Sequence, residues 1–322
     1  MFTKTQATLK DSSNVQTNKV YDTVIIGGGP AGMGAALNLL RAGRSVLLLE
    51  KEAFGGQMAT SPRVENIPGT ISISGLEFAD LMFEQISSLG VEFELEEVEE
   101  VKKNDDNSFS IKTNYNEYVA KTIVISNGVT HRKMNLPKEE EFVGKGISFC
   151  AVCDGAFYKG KEVNLIGDAN TALQYALLLS KYCLRVNMFT LFDKFFGDKV
   201  LVDRLLETEN IFIRHNMNLV EYLGEDKLEG LKFQNTETKE FIEIPTDNVF
   251  IAIGQVPHND IFKNLVNLEK GFIVTDEHME TSCPGVFAVG DTRKKDVRQI
   301  VTALGDASIA SFYCDKYLSL LK

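Results

Sequence analysis

The chain is short of cysteine, of positive charge and of long apolar runs, and each shortage closes off a class of function. Five cysteines in 322 residues are too few for a disulfide scaffold, and an odd number. Lys and Arg total 34 against 45 Asp and Glu, a net charge of −11. A protein held on nucleic acid by phosphate contacts, or on an anionic membrane surface, needs the opposite excess. No apolar stretch approaches the roughly 18 residues of a membrane span. Metal-ligand spacing is scarce too. The one C-x-x-C, Cys150 and Cys153, has no second such pair and no close histidine pair to complete a four-ligand zinc site. Residues 1–19 are polar throughout, lack the apolar core of a signal peptide and read as a mobile tail. The expectation is a globular cytoplasmic protein, its length favouring two domains at about 100–200 residues each.

What is present is a clear alternation. A strand at 24–26, a glycine turn, helical spacing over 31–40 and a buried strand at 45–50 make one βαβ unit. The unit recurs as a strand at 163–166, a turn at Gly167, a helix at 172–180 and a strand at 185–189. Parallel strands joined by helices imply an α/β fold, and the repetition implies two Rossmann-like dinucleotide-binding domains. Further strands are expected at 248–253 and 285–289, and an amphipathic terminal helix at 306–318. Gly254 to Pro257 punctuates between domains. The acidic run from Glu92 to Glu100 reads as a solvated strand or edge. Cys183, Cys283 and Cys314 read as small buried apolar side chains.

Gly27-Gly28-Gly29-Pro30-Ala31-Gly32 follows a strand and opens a helix. Gly27 allows a tight turn, Gly29 lets the backbone approach a pyrophosphate, and Gly32 permits close helix–strand packing. The helix N-terminus offers unpaired N–H groups and partial positive charge to the phosphates. Glu50, at the end of the second strand, is placed to accept from ribose hydroxyls. Near the other end of the chain a strand runs into Gly290-Asp291, where an aspartate can hold the ribitol hydroxyls of a flavin. That favours FAD over NAD at this first site.

The segments Gly55-Gly56-Gln57, Val64-Glu65-Asn66, Gly290-Asp291 and Arg298-Gln299-Ile300, with Gly144 to Gly155, together resemble the low-molecular-weight thioredoxin reductase family. The resemblance runs from about Val20 to Leu318, in matching order. It implies an FAD-binding domain in two pieces, 20–127 and 254–322, with a pyridine-nucleotide-type domain, 128–253, inserted between them and carrying the C-x-x-C. It also implies a homodimer and a thioredoxin-like protein as electron acceptor.

Cys150-Ala151-Val152-Cys153-Asp154-Gly155 puts two thiols on one turn, within disulfide reach. Structural zinc and two inert cysteines are the competing readings. A redox-active dithiol is favoured in an α/β chain with an expected flavin. The sequence does not say which thiol attacks the partner disulfide; the family pattern assigns Cys153 to the flavin side. The same pattern makes Asp154 the acid–base residue, since an adjacent carboxylate can carry the proton that a leaving thiolate needs. Asp154 is also suited to cap the following segment.

The second fingerprint departs from the family. The inserted domain of relatives binds NADPH through a glycine turn and a His-Arg-Arg run with a further arginine. Here the turn reads Gly167-Asp168-Ala169-Asn170-Thr171-Ala172, and Leu191, Phe192 and Phe196 stand at the arginine positions. Asp168 opposes phosphate by like charge. Each lost hydrogen bond to a charged group removes about 1.5–3 kcal/mol. Thr190, at the offset Glu50 has in the first unit, carries no charge; Asp193 lies three residues late for holding NADH. The expected donor is therefore not NADPH. A ferredoxin near −400 mV would drive thioredoxin near −270 mV by roughly 6 kcal/mol for two electrons. Arg293-Lys294-Lys295-Asp296-Val297-Arg298 and His131-Arg132-Lys133 are the basic clusters that an acidic donor would meet. Alternatives are an NADH-dependent reductase of a thioredoxin or peroxiredoxin system, and a redox-sensing flavoprotein that does not turn over.

Overall fold

The structure, a computed structural model, describes residues 19–61 and 64–321. The expected tail lies outside these residues except for Lys19, which pairs with Glu92. The chain forms two compact units. The first comprises the described residues up to Phe54, Met82–Asn127 and those from Asn259 on; the second comprises Gly55–Leu81 and Gly128–His258.

The first unit is built on a seven-stranded sheet in the order Glu92–Leu95, Val46–Glu50, Val20–Ile26, Glu117–Ile125, Phe109–Thr113, Val98–Lys103, with Val286–Ala288 also pairing Glu117–Ile125. Strands from Glu92–Leu95 to Glu117–Ile125 run parallel, as does Val286–Ala288; the Phe109 and Val98 strands are antiparallel. Val46 to Leu49 are buried on both faces, which is why that strand reads as an unbroken apolar run. Helix Pro30–Arg41 packs on the last helix, Ile300–Leu320, so closely that a Cβ on Gly34 would stand 3.0 Å from Leu304 and 3.2 Å from Ala307. Arg44 adds an ion pair to Asp315 at 2.6 Å and a hydrogen bond to Ser319. The last helix begins at Ile300 rather than 306, because Gln299 and Thr302 form a reciprocal capping pair.

The acidic run supplies both edges of this sheet, Glu92–Leu95 and Val98–Lys103, as expected of solvated edge strands. Glu96 between them is the exception. It is buried and accepts from the Thr113 hydroxyl, Asn116 Nδ2 and the Tyr118 hydroxyl.

The second unit has a wholly parallel sheet in the order Ile211–Arg214, Arg185–Phe189, Glu162–Ile166, Val249–Ile251, Ile147–Ser148. An antiparallel sheet of Met217–Leu223, Gly230–Asn235 and Phe241–Pro245 adjoins it through one apolar core. Residues 55–81 and 254–258, expected with the first domain, group with this unit by contact. Strand Gln255–Pro257 pairs with Val129–His131, and Gln57 Nε2 donates to the Val129 carbonyl. The architecture is α/β with two Rossmann-like units. Among the described residues, no helix is long and apolar enough to cross a membrane.

Candidate active site

In the first glycine turn, Gly27 holds φ at +107°, and a Cβ there would strike the Ser126 backbone. A Cβ on Gly32 would fall on the Gly27 carbonyl, so this glycine is required for strand and helix to meet. Gly29 faces open space, which leaves its backbone accessible to a phosphate. Pro30 and Ala31 open the helix, and Ala31 touches the turn at Gly290, where an added Cβ would lie 2.8 Å away. Glu50 is aimed at this turn: its carboxylate accepts from the Gly28 N–H at 2.7 Å and from the Glu52 N–H at 2.9 Å.

Asp291 sits in the turn Gly290–Thr292 that follows strand Val286–Ala288. Its Oδ1 is buried with no hydrogen-bond partner. Burial pushes its carboxyl above the usual range, against the opposing pull of Lys295 and Arg298. A buried carboxylate oxygen lacking a donor is what the hydroxyl-bearing chain of a flavin would satisfy. Gln299 caps the last helix, Ile300 is its first residue, and the Arg298 guanidinium lies over the Phe272 ring at 4.5 Å. The structure thus gathers Gly27 to Gly32, Glu50, Gly290, Asp291 and Arg298 to Ile300 in the first unit. Gly56, with φ at +54°, Gln57 and Asn66 belong to the second unit.

Three cations of the basic run beside these residues are held in ion pairs. Arg293 and Lys295 both bind the buried Asp306 carboxylate at 2.9 Å, and Lys294 pairs with Glu269 at 2.6 Å. In the second cluster, Lys133 pairs with Glu140, and the His131 ring stacks on Phe149 at 5.0 Å. Burial lowers the His131 pKa to about 4, so at neutral pH that ring is uncharged.

Cys150 and Cys153 are joined by a disulfide across the turn Ala151–Asp154, with their Cα atoms 5.3 Å apart. Cys150 Sγ caps this turn by accepting from the Cys153 N–H at 3.1 Å. Asp154 makes no side-chain cap of the following segment; its Oδ2 instead accepts from the Ser148 hydroxyl at 2.6 Å. Its Oδ1 is buried without a partner, and burial pushes the carboxyl up while the Ser148 hydrogen bond pulls it down. Gly155 lies close against Tyr182 and Leu179: a Cβ there would stand 2.4 Å from the Tyr182 hydroxyl and 2.8 Å from Leu179. The three remaining cysteines are buried free thiols, as expected of small apolar side chains.

A dithiol turn in one Rossmann-like unit, with an acid beside it and an orphaned flavin-type carboxylate in the other unit, narrows the family. Residues 21–307 match the pyridine nucleotide-disulphide oxidoreductase family. The chain is 39% identical over 306 residues to a thioredoxin reductase of Bacillus subtilis, covering 94% of this chain and 96% of that one. This chain belongs to the low-molecular-weight thioredoxin reductase family. It is thus a flavoprotein disulfide reductase by family. A 34.2 kDa protein in a rubredoxin operon of Clostridium pasteurianum is 38% identical over 94% of this chain and 99% of its own. The crystal structure of thioredoxin reductase from Streptococcus pyogenes superposes with a TM-score of 0.89 at 36% identity, over 94% of this chain and 99% of that one.

Within this thioredoxin reductase fold a later segment of the chain returns to the second glycine turn. Gly167 keeps the turn, with φ at +150° and no room for a Cβ against the Ala252 carbonyl. Ala169 is the N-cap of helix Asn170–Leu179 and offers no side-chain hydrogen bond. Burial raises the Asp168 carboxyl. The segment 191–198 returns to this helix start. The Phe196 N–H donates to the Asp168 carbonyl at 2.7 Å. Asn170 Nδ2 donates to Asp198 Oδ2 at 3.0 Å, and the Asp198 N–H donates to Asn170 Oδ1 at 2.6 Å. At Gly197 a Cβ would collide with Leu173, so the loop lies flush on the helix. Thr190 is buried with its hydroxyl engaged by the Phe192 carbonyl and His215 Nδ1. Asp193 is exposed, and Phe192 and Phe196 pack edge to face at 5.3 Å.

Sequence reasoning missed two of these groups. Ser148 lies two residues before Cys150 at the end of a strand, so the period-2 alternation could have placed it on the same side. The Asn170–Asp198 pair spans 28 residues and has no local signature.

Proposed function

We propose that this chain is an FAD-dependent reductase that passes electrons through the Cys150–Cys153 pair to a thioredoxin-like protein, and that its donor is not NADPH. Gly27, Gly29, Pro30, Ala31, Gly32 and Glu50 would hold the dinucleotide part of FAD, and Asp291 with Arg298, Gln299 and Ile300 its ribityl and ring region. Gly56, Gln57 and Asn66 join this set by family resemblance alone. Bound FAD supplies the step between single electrons and pairs. Reduction of the disulfide takes up two electrons and two protons, and Asp154 is the proton carrier beside it.

The start of helix Asn170–Leu179 and the segment tied to it carry the donor reading. NADPH needs that helix start open and its 2′-phosphate among cations. Here the segment 191–198 is tied beside that start through the Asp168 carbonyl and the Asn170 side chain, and Leu191, Phe192 and Phe196 offer a phosphate no cation. A low-potential one-electron protein of ferredoxin type meets the thermodynamic need without that site. The Arg293–Arg298 run does not support a docking face for it, since its lysines and Arg293 are paired internally. The test is anaerobic stopped-flow mixing of one preparation with NADPH, NADH and reduced ferredoxin. The expected result is rapid flavin bleaching by ferredoxin alone. Rapid bleaching by micromolar NADPH refutes the donor claim, and bleaching by NADH alone moves it to the alternative coenzyme.

A further inference from the structure

Ser148 ends the short strand Ile147–Ser148, buried beside Phe250 of the parallel neighbour. Its hydroxyl has one hydrogen to give, and the geometry sends it to Asp154 Oδ2 at 2.6 Å. Ser148 Oγ itself accepts the Cys150 N–H at 3.1 Å. The Asp154 N–H donates in turn to the Cys150 carbonyl at 3.0 Å. Cys150, Ser148 and Asp154 therefore form one closed ring of hydrogen bonds. A carboxylate on a freely turning side chain would exchange its two oxygens. Here Oδ2 is engaged, while Oδ1 is buried and has no partner.

We propose that Ser148 is a positioning residue for proton transfer at the dithiol, fixing Asp154 so that Oδ1 is the oxygen that takes and returns the thiol proton. The proposal rests on the reductase reading above. In the transfer to an acceptor disulfide, the Cys150 and Cys153 thiols become one disulfide and the acceptor's S–S bond breaks. Two electrons and two protons leave this chain and arrive on the acceptor's two sulfurs. Asp154 takes a thiol proton and hands it to a departing acceptor sulfur, so its own protonation is unchanged at the end. The titratable groups facing Asp154 are few: the cysteine pair on its own turn, Tyr158 on the 3-10 turn Gly155–Tyr158, and Tyr182 over Gly155. Burial and the Asp154 and Asp247 charges raise Tyr158, and burial and Cys183 raise Tyr182, so both stay neutral through the acid range. Burial and Ser148 are left to set the Asp154 carboxyl.

The experiment uses the full flavin-loaded chain, reduced with dithionite, freed of excess and mixed with oxidised thioredoxin between pH 4 and 9. Asp154→Asn identifies the acid limb that belongs to Asp154. Ser148→Ala is expected to move that limb upward by about one to two pH units, the equivalent of one lost hydrogen bond to a charged group. Ser148→Thr, which keeps the hydroxyl, restores the wild-type midpoint. An unmoved midpoint in Ser148→Ala, with only a uniformly slower rate, overturns the proposal. If Ser148→Ala does not fold, Ser148→Val against Ser148→Thr makes the same comparison at matched volume. Infrared titration of the Asp154 carboxyl needs neither donor nor acceptor. If the wild-type chain reduces no thioredoxin at any pH, the reductase reading fails. The infrared midpoint still decides whether Ser148 governs the carboxyl, and no shift there also overturns the proposal.

Discussion

The proposed exclusion of NADPH rests on two features of the second unit, and they can be removed separately. One is electrostatic: Leu191, Phe192 and Phe196 offer no cation to a 2′-phosphate. The other is mechanical: Asn170 fastens the segment 191–198 by hydrogen bonds of 3.0 and 2.6 Å to Asp198. At about 0.5–1.5 kcal/mol each, these two bonds hold the segment closed by about 1–3 kcal/mol. A ligand that must first open it binds about 5- to 150-fold more weakly. Because Asp198 is exposed, the lower half of that range applies, about tenfold. Restoring charge alone through Leu191→Arg, Phe192→Arg and Phe196→Arg is therefore expected to give weak NADP⁺ binding in a calorimetric titration. Adding Asn170→Ala to that triple variant is expected to tighten it about tenfold. Asn170→Ala alone, still without cations, should gain little. The reasoning is refuted if the wild-type chain saturates with micromolar NADP⁺, or if Asn170→Ala leaves the triple variant's affinity unchanged.

Gly32→Ala places a methyl on the Gly27 carbonyl, a backbone atom that cannot step aside; purified protein should carry little flavin and melt several degrees lower. Asp306→Ala strands Arg293 and Lys295 together in a site where each is about a tenth exposed, and should cost about 3–5 kcal/mol in urea unfolding. Asp291 has a carboxyl raised by burial, so the stability linked to its proton is present below the ordinary carboxylate range and is lost as pH rises through the raised value. In the flavin-free protein, Asp291→Asn should therefore melt above wild type at pH 7.5 and show a smaller gain at pH 4.5, while binding flavin less well. Replacing Cys150 or Cys153 with serine should abolish thioredoxin reduction in a single-turnover assay and leave the flavin absorbance in place.

Most of the fold was legible because its signals are local. Glycines at fixed offsets, a buried run such as 45–50 and a C-x-x-C are read within a few residues, and the strands and helices of both βαβ units lie where that reading puts them. The last helix was misjudged at its start because Gln299 and Thr302 cap it instead of a Ser or Asp with a Glu. What stayed hidden depends on partners far along the chain. The basic run reads as a surface patch in sequence because Asp306 and Glu269, which pair with three of its cations, lie outside it. Glu96 looked solvated because its partners Thr113, Asn116 and Tyr118 come from another hairpin. The tie between the second glycine turn and the segment 191–198 rests on Asp198, whose side chain carries no sign of its partner in sequence.

The packing of Gly34 against Leu304 and Ala307, with Val286–Ala288 completing the neighbour of the first strand, also sets an order of events during synthesis. Helix Pro30–Arg41 is made well before Ile300–Leu320, so the face that meets that helix stays uncovered while most of the intervening chain is made. The thiol-bearing portion, finished by His258, can close before that. Where Gly27 to Gly32 and Asp291 hold the flavin as proposed, its loading waits for both segments to be made, while the redox pair can fold ahead of it.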